Sequence, residues 1–306
     1  MIGRDMPVEE LTPGVARLRT LIANIYLVGT PGGPWVLVDT GTPGNAARIL
    51  EAATQRFGPG ARPSAILLTH GHRDHAGSAL ELAEHWGVDI YAHPLERPFL
   101  TGKSAYPPKD PMAGGAFSFM SRFFPGAPVN LGERLRDLPK EGEVPDLVGW
   151  RWYFTPGHAP GHVAFFQPYE SVLLAGDACT TMDLDSAMGI AMQEPRISRP
   201  PAPFTYDWVE ARRSVETLAA LEPLVIAAGH GEPMSGPQVA DGLVHLARHF
   251  PEPRGRYARV PARTDENGVT FVPPPVSDPV PAIAAAVGLG VIAIGTAITW
   301  SQRRKH

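Results

Sequence analysis

The sequence predicts an α/β sandwich of two mixed sheets flanked by helices, followed by one C-terminal transmembrane helix. Three observations carry that reading. In the first third of the chain, apolar strand-like runs alternate with segments of helical spacing. Then the runs Trp150 to Phe154, Val163 to Phe166 and Val172 to Ala175 follow one another without a helix, which points to mixed sheets and not purely parallel ones. Finally, the chain has 27 Lys and Arg and 31 Asp and Glu, yet none of them lies between Asp278 and Arg303.

The segment Met1 to Val15 contains acids and Arg4 but lacks the apolar run of a secretory leader. Strands begin at Val15. Ile25-Tyr26-Leu27-Val28, the turn Thr30-Pro31-Gly32-Gly33-Pro34, and Trp35-Val36-Leu37-Val38 read as a hairpin ending at Asp39-Thr40-Gly41. Asn45 to Phe57 sets Ala46, Ile49, Leu50 and Ala53 on one helical side, and Gly58-Pro59-Gly60 stops it. Ala65 to Thr69 is a buried strand opening into His70, Ala79 to Trp86 is a helix, and Val88 to Ala92 is a strand. Beyond the three successive strands, Tyr206 to Leu221 reads as an amphipathic helix, Leu224 to Ala228 as a strand and Pro237 to Phe250 as a helix. Two irregular stretches, 101–129 and 182–204, are long enough to read as lid-like insertions. The first carries Phe117, Phe119, Met120, Phe123 and Phe124, which fit a greasy lid over an acyl or aromatic substrate as well as a short helix packed on the domain.

Composition narrows the function. A hydrophobic content of 43% supports a substantial core, and a net charge of -4 argues against a general nucleic-acid binder. A single cysteine excludes an internal disulfide and a Cys-rich zinc module, so a metal here must be held mainly by His and carboxylates. Thr69-His70-Gly71-His72-Arg73-Asp74-His75 supplies such groups at once: three imidazoles and a carboxylate directly after a strand. Alternate residues leaving a strand project to one side, so His70 and His72 can share one ion while Asp74 and His75 turn towards a second. Thr155-Pro156-Gly157-His158, Gly176-Asp177 and Gly229-His230-Gly231 offer further donors, each where an apolar strand ends.

With Asp39 in Val-Asp-Thr-Gly, the His-x-His-x-Asp-His run, and His158, Asp177 and His230 in order, the chain resembles the metallo-β-lactamase superfamily over about Val15 to Phe250. The resemblance implies an αββα sandwich. It also implies that His70, His72 and His158 bind one metal and Asp74, His75 and His230 a second, with Asp177 bridging. Two divalent ions follow, zinc by default, with iron, manganese or cobalt also suited to the N and O donors. Such a pair acidifies a shared, bridging water and polarises the bond it attacks, and Asp74 is the candidate catalytic residue that passes the proton to the leaving group. Asp39 reads as a carboxylate supporting the ligands from behind, and His162 reads equally as such a support or as an ordinary hydrogen-bonded residue. Cys179 reads as a small core residue.

The expected activity is hydrolysis of an ester, thioester or lactone in a small-molecule substrate, with a phosphodiesterase or nuclease of the same fold, or a non-catalytic metal-dependent binder, as alternatives. The absence of Lys and Arg between Arg151 and Arg196 removes the basic group that glyoxalase II, a similar thioesterase, uses for glutathione. Thr180 stands where similar lactonases carry Tyr. The expected organisation is a catalytic domain over 1–250, a Pro/Arg-rich linker over 251–279, a transmembrane helix over 280–300 and a basic tail over 301–306. At 1.5 Å per residue such a helix spans nearly the ~30 Å bilayer core. This makes the expected location the membrane, by a single-pass C-terminal anchor, with the catalytic domain cytoplasmic and a lipophilic substrate favoured.

Overall fold

The computed structural model describes residues 8–280 other than 22, 125–127 and 141. Strands β1 (Glu9–Thr12), β2 (Val15–Arg19), β3 (Asn24–Gly29) and β4 (Trp35–Val38) pair antiparallel in turn. Helix α1 (Ala46–Phe57) leads to β5 (Ala65–Leu67), and α2 (Arg73–Ala76) and α3 (Ala79–Trp86) lead to β6 (Ile90–Ala92), so that β4, β5 and β6 pair in parallel. Helices α4 (Arg97–Leu100) and α5 (Ala116–Met120) precede β7 (Leu135–Asp137), which lies parallel to β6 and completes a seven-stranded sheet in simple chain order. In the second sheet β8 (Arg151–Phe154), β9 (Val163–Gln167) and β10 (Val172–Gly176) are antiparallel. Helices α6 (Ala187–Met192) and α7 (Trp208–Ala219) then lead to β11 (Val225–Ala228), parallel to β10, and β12 (Met234–Ser235) edges the sheet before α8 (Gln238–Arg248).

Strand parity explains the layering. Ile25, Leu27, Leu37 and Ile66 pack with Ile49, Ala53, Leu82 and Ala83 of α1 and α3. Their alternates Tyr26, Val28, Val36, Val38, Ala65 and Leu67 meet Val163, Phe165, Val172, Leu174 and Ala227 of the second sheet. That sheet's other face, Ala164, Phe166, Leu173, Ala175, Ile226 and Ala228, packs on Val215, Leu218, Val239 and Leu243 of α7 and α8. The order is therefore helix, sheet, sheet, helix, and these strands read as continuous apolar runs because both faces are buried. A fully buried aliphatic contributes about 1.5–3 kcal/mol, and truncating Leu37 or Leu67 to Ala costs about 2–5 kcal/mol.

Two predicted regions differ. The expected transmembrane helix over 280–300 is corrected: among the described residues no helix is long and apolar enough to cross a membrane. All of that stretch but Val280 lies outside the described residues, and the single-pass membrane location expected from it is corrected with it. The segment 251–273, expected as part of a linker, belongs to the same compact unit as the sandwich. Its Tyr257 is buried and donates to the Pro108 carbonyl at 2.6 Å, and β13 (Arg263–Asp265) pairs antiparallel with β14 (Gly268–Phe271). Proline and arginine content conceals this packing because the anchoring contacts are with residues about 150 positions earlier.

Candidate metal centre

Loops at the same end of the two sheets form the site. Past β5, Leu68 and Thr69 deliver His70. His72 then caps the one-turn helix α2, whose backbone sets Asp74 and His75 on the next turn. His158 comes from the turn between β8 and β9, Asp177 from the end of β10 and His230 from the end of β11. The structure brings all seven predicted ligands together. His70 Nε2 lies 2.9 Å from His72 Nδ1, which lies 3.0 Å from His158 Nε2. Asp177 stands between this trio and the remaining groups: its Oδ2 is 3.5 Å from His158 Nε2 and 3.1 Å from His230 Nε2, and its Oδ1 is 3.6 Å from His75 Nε2. Asp74 Oδ2 lies 3.5 Å from His230 Nε2 and 3.8 Å from His75 Nε2. Only His72 and Asp74 are partly open to solvent; the other five are buried.

Proton positions follow from the hydrogen bonds. Asp39, held at a left-handed φ of 60° after β4, accepts from the Thr69 amide at 2.9 Å, the Thr69 hydroxyl at 2.8 Å and His75 Nδ1 at 2.8 Å. With Nδ1 committed to Asp39, His75 presents Nε2 to the cluster. Because the Thr69 proton goes to Asp39, His70 Nδ1, 3.0 Å from Thr69 Oγ1, is the donor in that pair, and His70 Nε2 also faces inwards as a lone pair. His162 does not join the ligands. The Asp177 amide donates to His162 Nε2 at 2.8 Å, so His162 Nδ1 donates to Thr155 Oγ1, and the ring fixes the turn that carries Asp177. The His230 loop is held from the first sheet: Asn24 Nδ2 donates to the Gly231 carbonyl at 2.7 Å, and Tyr26 donates to Ala228 at 2.6 Å.

This geometry fits cations. The buried atoms lacking a hydrogen-bond partner include His75 Nε2 and Asp177 Oδ1, both aimed into the cluster, and His70 Nε2, His72 Nδ1 and His158 Nε2 converge with successive separations of 2.9 and 3.0 Å. Three overlapping groups can each hold an ion: His70 with His72 and His158; His70 with His75 and Asp177; Asp74 with His75 and His230. Burial and neighbouring imidazoles hold His70 and His158 well below the ordinary histidine range, and burial takes His72 down to about 4. Burial also opposes charge on His75 and His230, but Asp177, joined by Asp39 and Asp74 at His75 and by Asp74 at His230, outweighs it and raises both. Burial likewise opposes charge on Asp177, and His230 and His75 override it, driving this carboxyl well below its usual range. The pocket is thus built to hold positive charge. Imidazole nitrogens and carboxylate oxygens of this kind suit divalent metals.

Several residues at the site escaped the sequence reading. Tyr106, Phe204 and Tyr206 surround His72 with ring centroids 4.5, 5.6 and 6.0 Å away, and Tyr206 Oη lies 3.4 Å from His72 Nε2. Buried Glu96 accepts from the Gly71 and Gly161 amides. No local pattern marks these residues, since each gains its role from contacts distant in sequence.

Comparison with known proteins agrees with this arrangement. A sequence model of the metallo-beta-lactamase superfamily matches residues 18–230. The chain is 41% identical over 244 residues to the probable metallo-hydrolase YflN of Bacillus subtilis, covering 79% of this chain and 92% of YflN. It is 32% identical over 114 residues to the hydroxyacylglutathione hydrolase GloC of Haemophilus influenzae, covering 37% of this chain and 48% of that one. Among solved structures, the metallo-beta-lactamase family protein TTHA1429 of Thermus thermophilus superposes with a TM-score of 0.54 at 27% identity, covering 79% of this chain and 80% of that one. TTHA1623, solved in a di-iron-bound form, gives 0.51 at 28% identity, covering 76% and 96%. The donors, their order along the chain and the sandwich that assembles them have one common source: this chain belongs to the metallo-beta-lactamase superfamily and is a metallo-hydrolase.

Proposed function

We propose that this metallo-hydrolase cleaves an ester, thioester or lactone whose acyl part is apolar or aromatic. The observation that carries the reading is the aromatic wall on the open side of His72. Phe204 stands beside the ligand, and Phe117 and Phe124 pack behind it at 6.1 and 6.4 Å. An apolar wall beside a few polar groups suits an acyl chain; a phosphodiester calls for cationic side chains instead. GloC's name supplies an acylated thiol as precedent, although the absence of Lys and Arg between Arg151 and Arg196 disfavours glutathione itself.

In this reading His70, His72 and His158 hold one ion, Asp74, His75 and His230 the other, and Asp177 joins them. When bound, the pair supplies Lewis acidity and a water acidic enough to attack at neutral pH. Zinc is the default for this donor set, and the di-iron form of TTHA1623 makes iron the principal rival. The chain's own residues orient and move protons. Asp39 fixes the His75 tautomer and His162 fixes the Asp177 turn. Asp74, partly exposed at the mouth, carries the proton to the leaving group. Asp74→Asn that kept both metals and full turnover would remove that role.

The test is a substrate panel of esters, thioesters, lactones and a phosphodiester, with short and long acyl chains, run on wild type and Phe204→Ala. The expected outcome is turnover of the acyl substrates, with kcat/KM for long chains reduced about tenfold in Phe204→Ala, equivalent to about 1.4 kcal/mol, and little change for acetyl substrates. Turnover confined to the phosphodiester would overturn the reading. An equal loss across all chain lengths would remove the acyl specificity.

A further inference from the structure

We infer that Glu96 is a positioning residue that preassembles the three-imidazole half of the centre, and so sets the metal affinity of that half separately from the other. Glu96 lies in the turn between β6 and α4, is fully buried, and is not itself a donor to the cluster. Its two oxygens are divided between two loops. Oε2 accepts from the Gly71 amide at 2.7 Å, and Oε1 accepts from the Gly161 amide at 2.7 Å. Gly71 separates His70 from His72, and Gly161 lies three residues past His158. One carboxylate thereby links the two loops that supply all three imidazoles of this position, one loop from each sheet.

The surroundings of Glu96 admit only an acceptor. Its third partner, the Tyr106 hydroxyl, also donates to Oε2, and Tyr106 Oη in turn accepts from the Gly71 amide at 2.9 Å. Tyr106 is stacked on Phe99 at 4.3 Å and meets the His72 ring at 4.5 Å, so the same contact steadies the partly open ligand. Both glycines are required by space. A Cβ on Gly71 would lie 2.6 Å from Tyr106 Oη and 2.8 Å from a Leu100 methyl, and one on Gly161 would lie 2.8 Å from the Glu96 Cγ and backbone nitrogen. The Gly161 backbone thus packs directly on Glu96, while Gly71 is held against Tyr106 and Leu100 beside it.

The other half of the centre has different supports. His75 is oriented by Asp39 and by the Thr40 amide and hydroxyl on its carbonyl, and the His230 loop by Asn24 and Tyr26. None of these supports passes through Glu96. Replacing Glu96 by Gln keeps the shape but turns one acceptor oxygen into an NH2 group facing an amide N–H, which releases one of the two loops.

The inference rests on His70, His72 and His158 sharing one metal position, and its test reads binding without turnover. Metal-stripped wild type and Glu96→Gln are titrated with Zn2+ while the imidazole NMR signals of the five ligand histidines are followed. The expected result is that His70, His72 and His158 in Glu96→Gln require about 10–100-fold more Zn2+ than in wild type, while His75 and His230 respond as in wild type. Wild-type affinity at both groups, or an equal loss at both, would overturn the proposal. Should Glu96→Gln fail to fold, hydrogen exchange of metal-stripped wild type decides. Gly71 and Gly161 amides as protected as those of β5 and β9 support a preformed clamp; exchange at the rate of exposed loops overturns it. The wild-type titration separately reports the metal assignment, since ligand histidines that ignored Zn2+ would defeat that assignment whatever Glu96 does.

Discussion

Asp39 carries more of the site than any residue that could touch a metal. It accepts three hydrogen bonds and through them orients the inward-facing nitrogens of both His75 and His70. Asp39→Asn places a donor where Thr69 or His75 already donates, and should weaken metal binding by about 10–100-fold, read by chelator competition; unchanged affinity would contradict this role. Cys179 is a contrasting case two residues from Asp177. Burial, with a smaller contribution from the Asp177 charge, pushes its thiol up to about 12, so about one molecule in ten thousand is thiolate at pH 8. Native protein should therefore resist iodoacetamide at pH 8 and react only when unfolded; rapid native labelling would show that the thiol is not sealed in. The seven donors and Asp39 were legible in the sequence because they sit at strand ends in short local patterns. Glu96, Tyr106 and Tyr206 were not, because nothing near them in sequence reveals which backbone amides or rings they meet.

At the scale of elements, hydrophobic runs placed the hairpin, α1, α3 and the strands of the second sheet, since doubly buried strands and one-sided helices leave distinct periods. The short strands β7 and β12 and the hairpin β13–β14 left too few residues for a period to show. The strap at 255–257 was equally hidden. Asp110, buried in the first insertion, receives the Arg256 amide on Oδ2 and the Met112 amide on Oδ1, tying the strap to the loop that carries Tyr106 towards His72. Asp110→Ala leaves the half-buried Arg256 and Met112 amides unpaired and should cost about 1–3 kcal/mol in urea unfolding. Because this loop packs on His72 through Tyr106, at the side where the proposed substrate would bind, KM should rise more than kcat falls. Wild-type stability with unchanged KM would show that the strap bears no load. The charge-free stretch beyond Asp278 lies almost wholly outside the described residues, among which no helix is long and apolar enough to cross a membrane.

For the molecule as a whole, assembling so many imidazoles has a measurable consequence in the metal-free state. His70, His72, His93, His158 and His162 are lowered, His72 and His93 to about 4 and His162 to about 3, with burial the leading cause. His75 and His230 are raised by the carboxylates around them. A lowered histidine contributes stability above its unfolded value near 6.5, and that contribution is lost as pH falls towards its folded value; a raised one acts in the reverse sense. Between pH 6.5 and 4 only the five lowered histidines act, because His75 and His230 lose their contribution as pH rises above 6.5 and the lowered Asp177 carboxyl loses its own only as pH falls below the ordinary value of 3.8; acidification through this window is therefore a net loss. The urea midpoint of metal-stripped protein should fall from pH 6.5 towards pH 4, and a flat or rising profile would contradict the charge pattern.

The proposed function makes the cluster around Asp177 a two-metal hydrolytic centre. Its most direct test is stepwise Zn2+ or Fe2+ addition to metal-stripped protein, with bound metal per chain and turnover of an acyl substrate measured on the same samples. No turnover is expected without metal, and full turnover is expected as the second equivalent binds. Turnover in metal-free protein, or two bound metals with no hydrolysis of any ester, thioester or lactone, would contradict it.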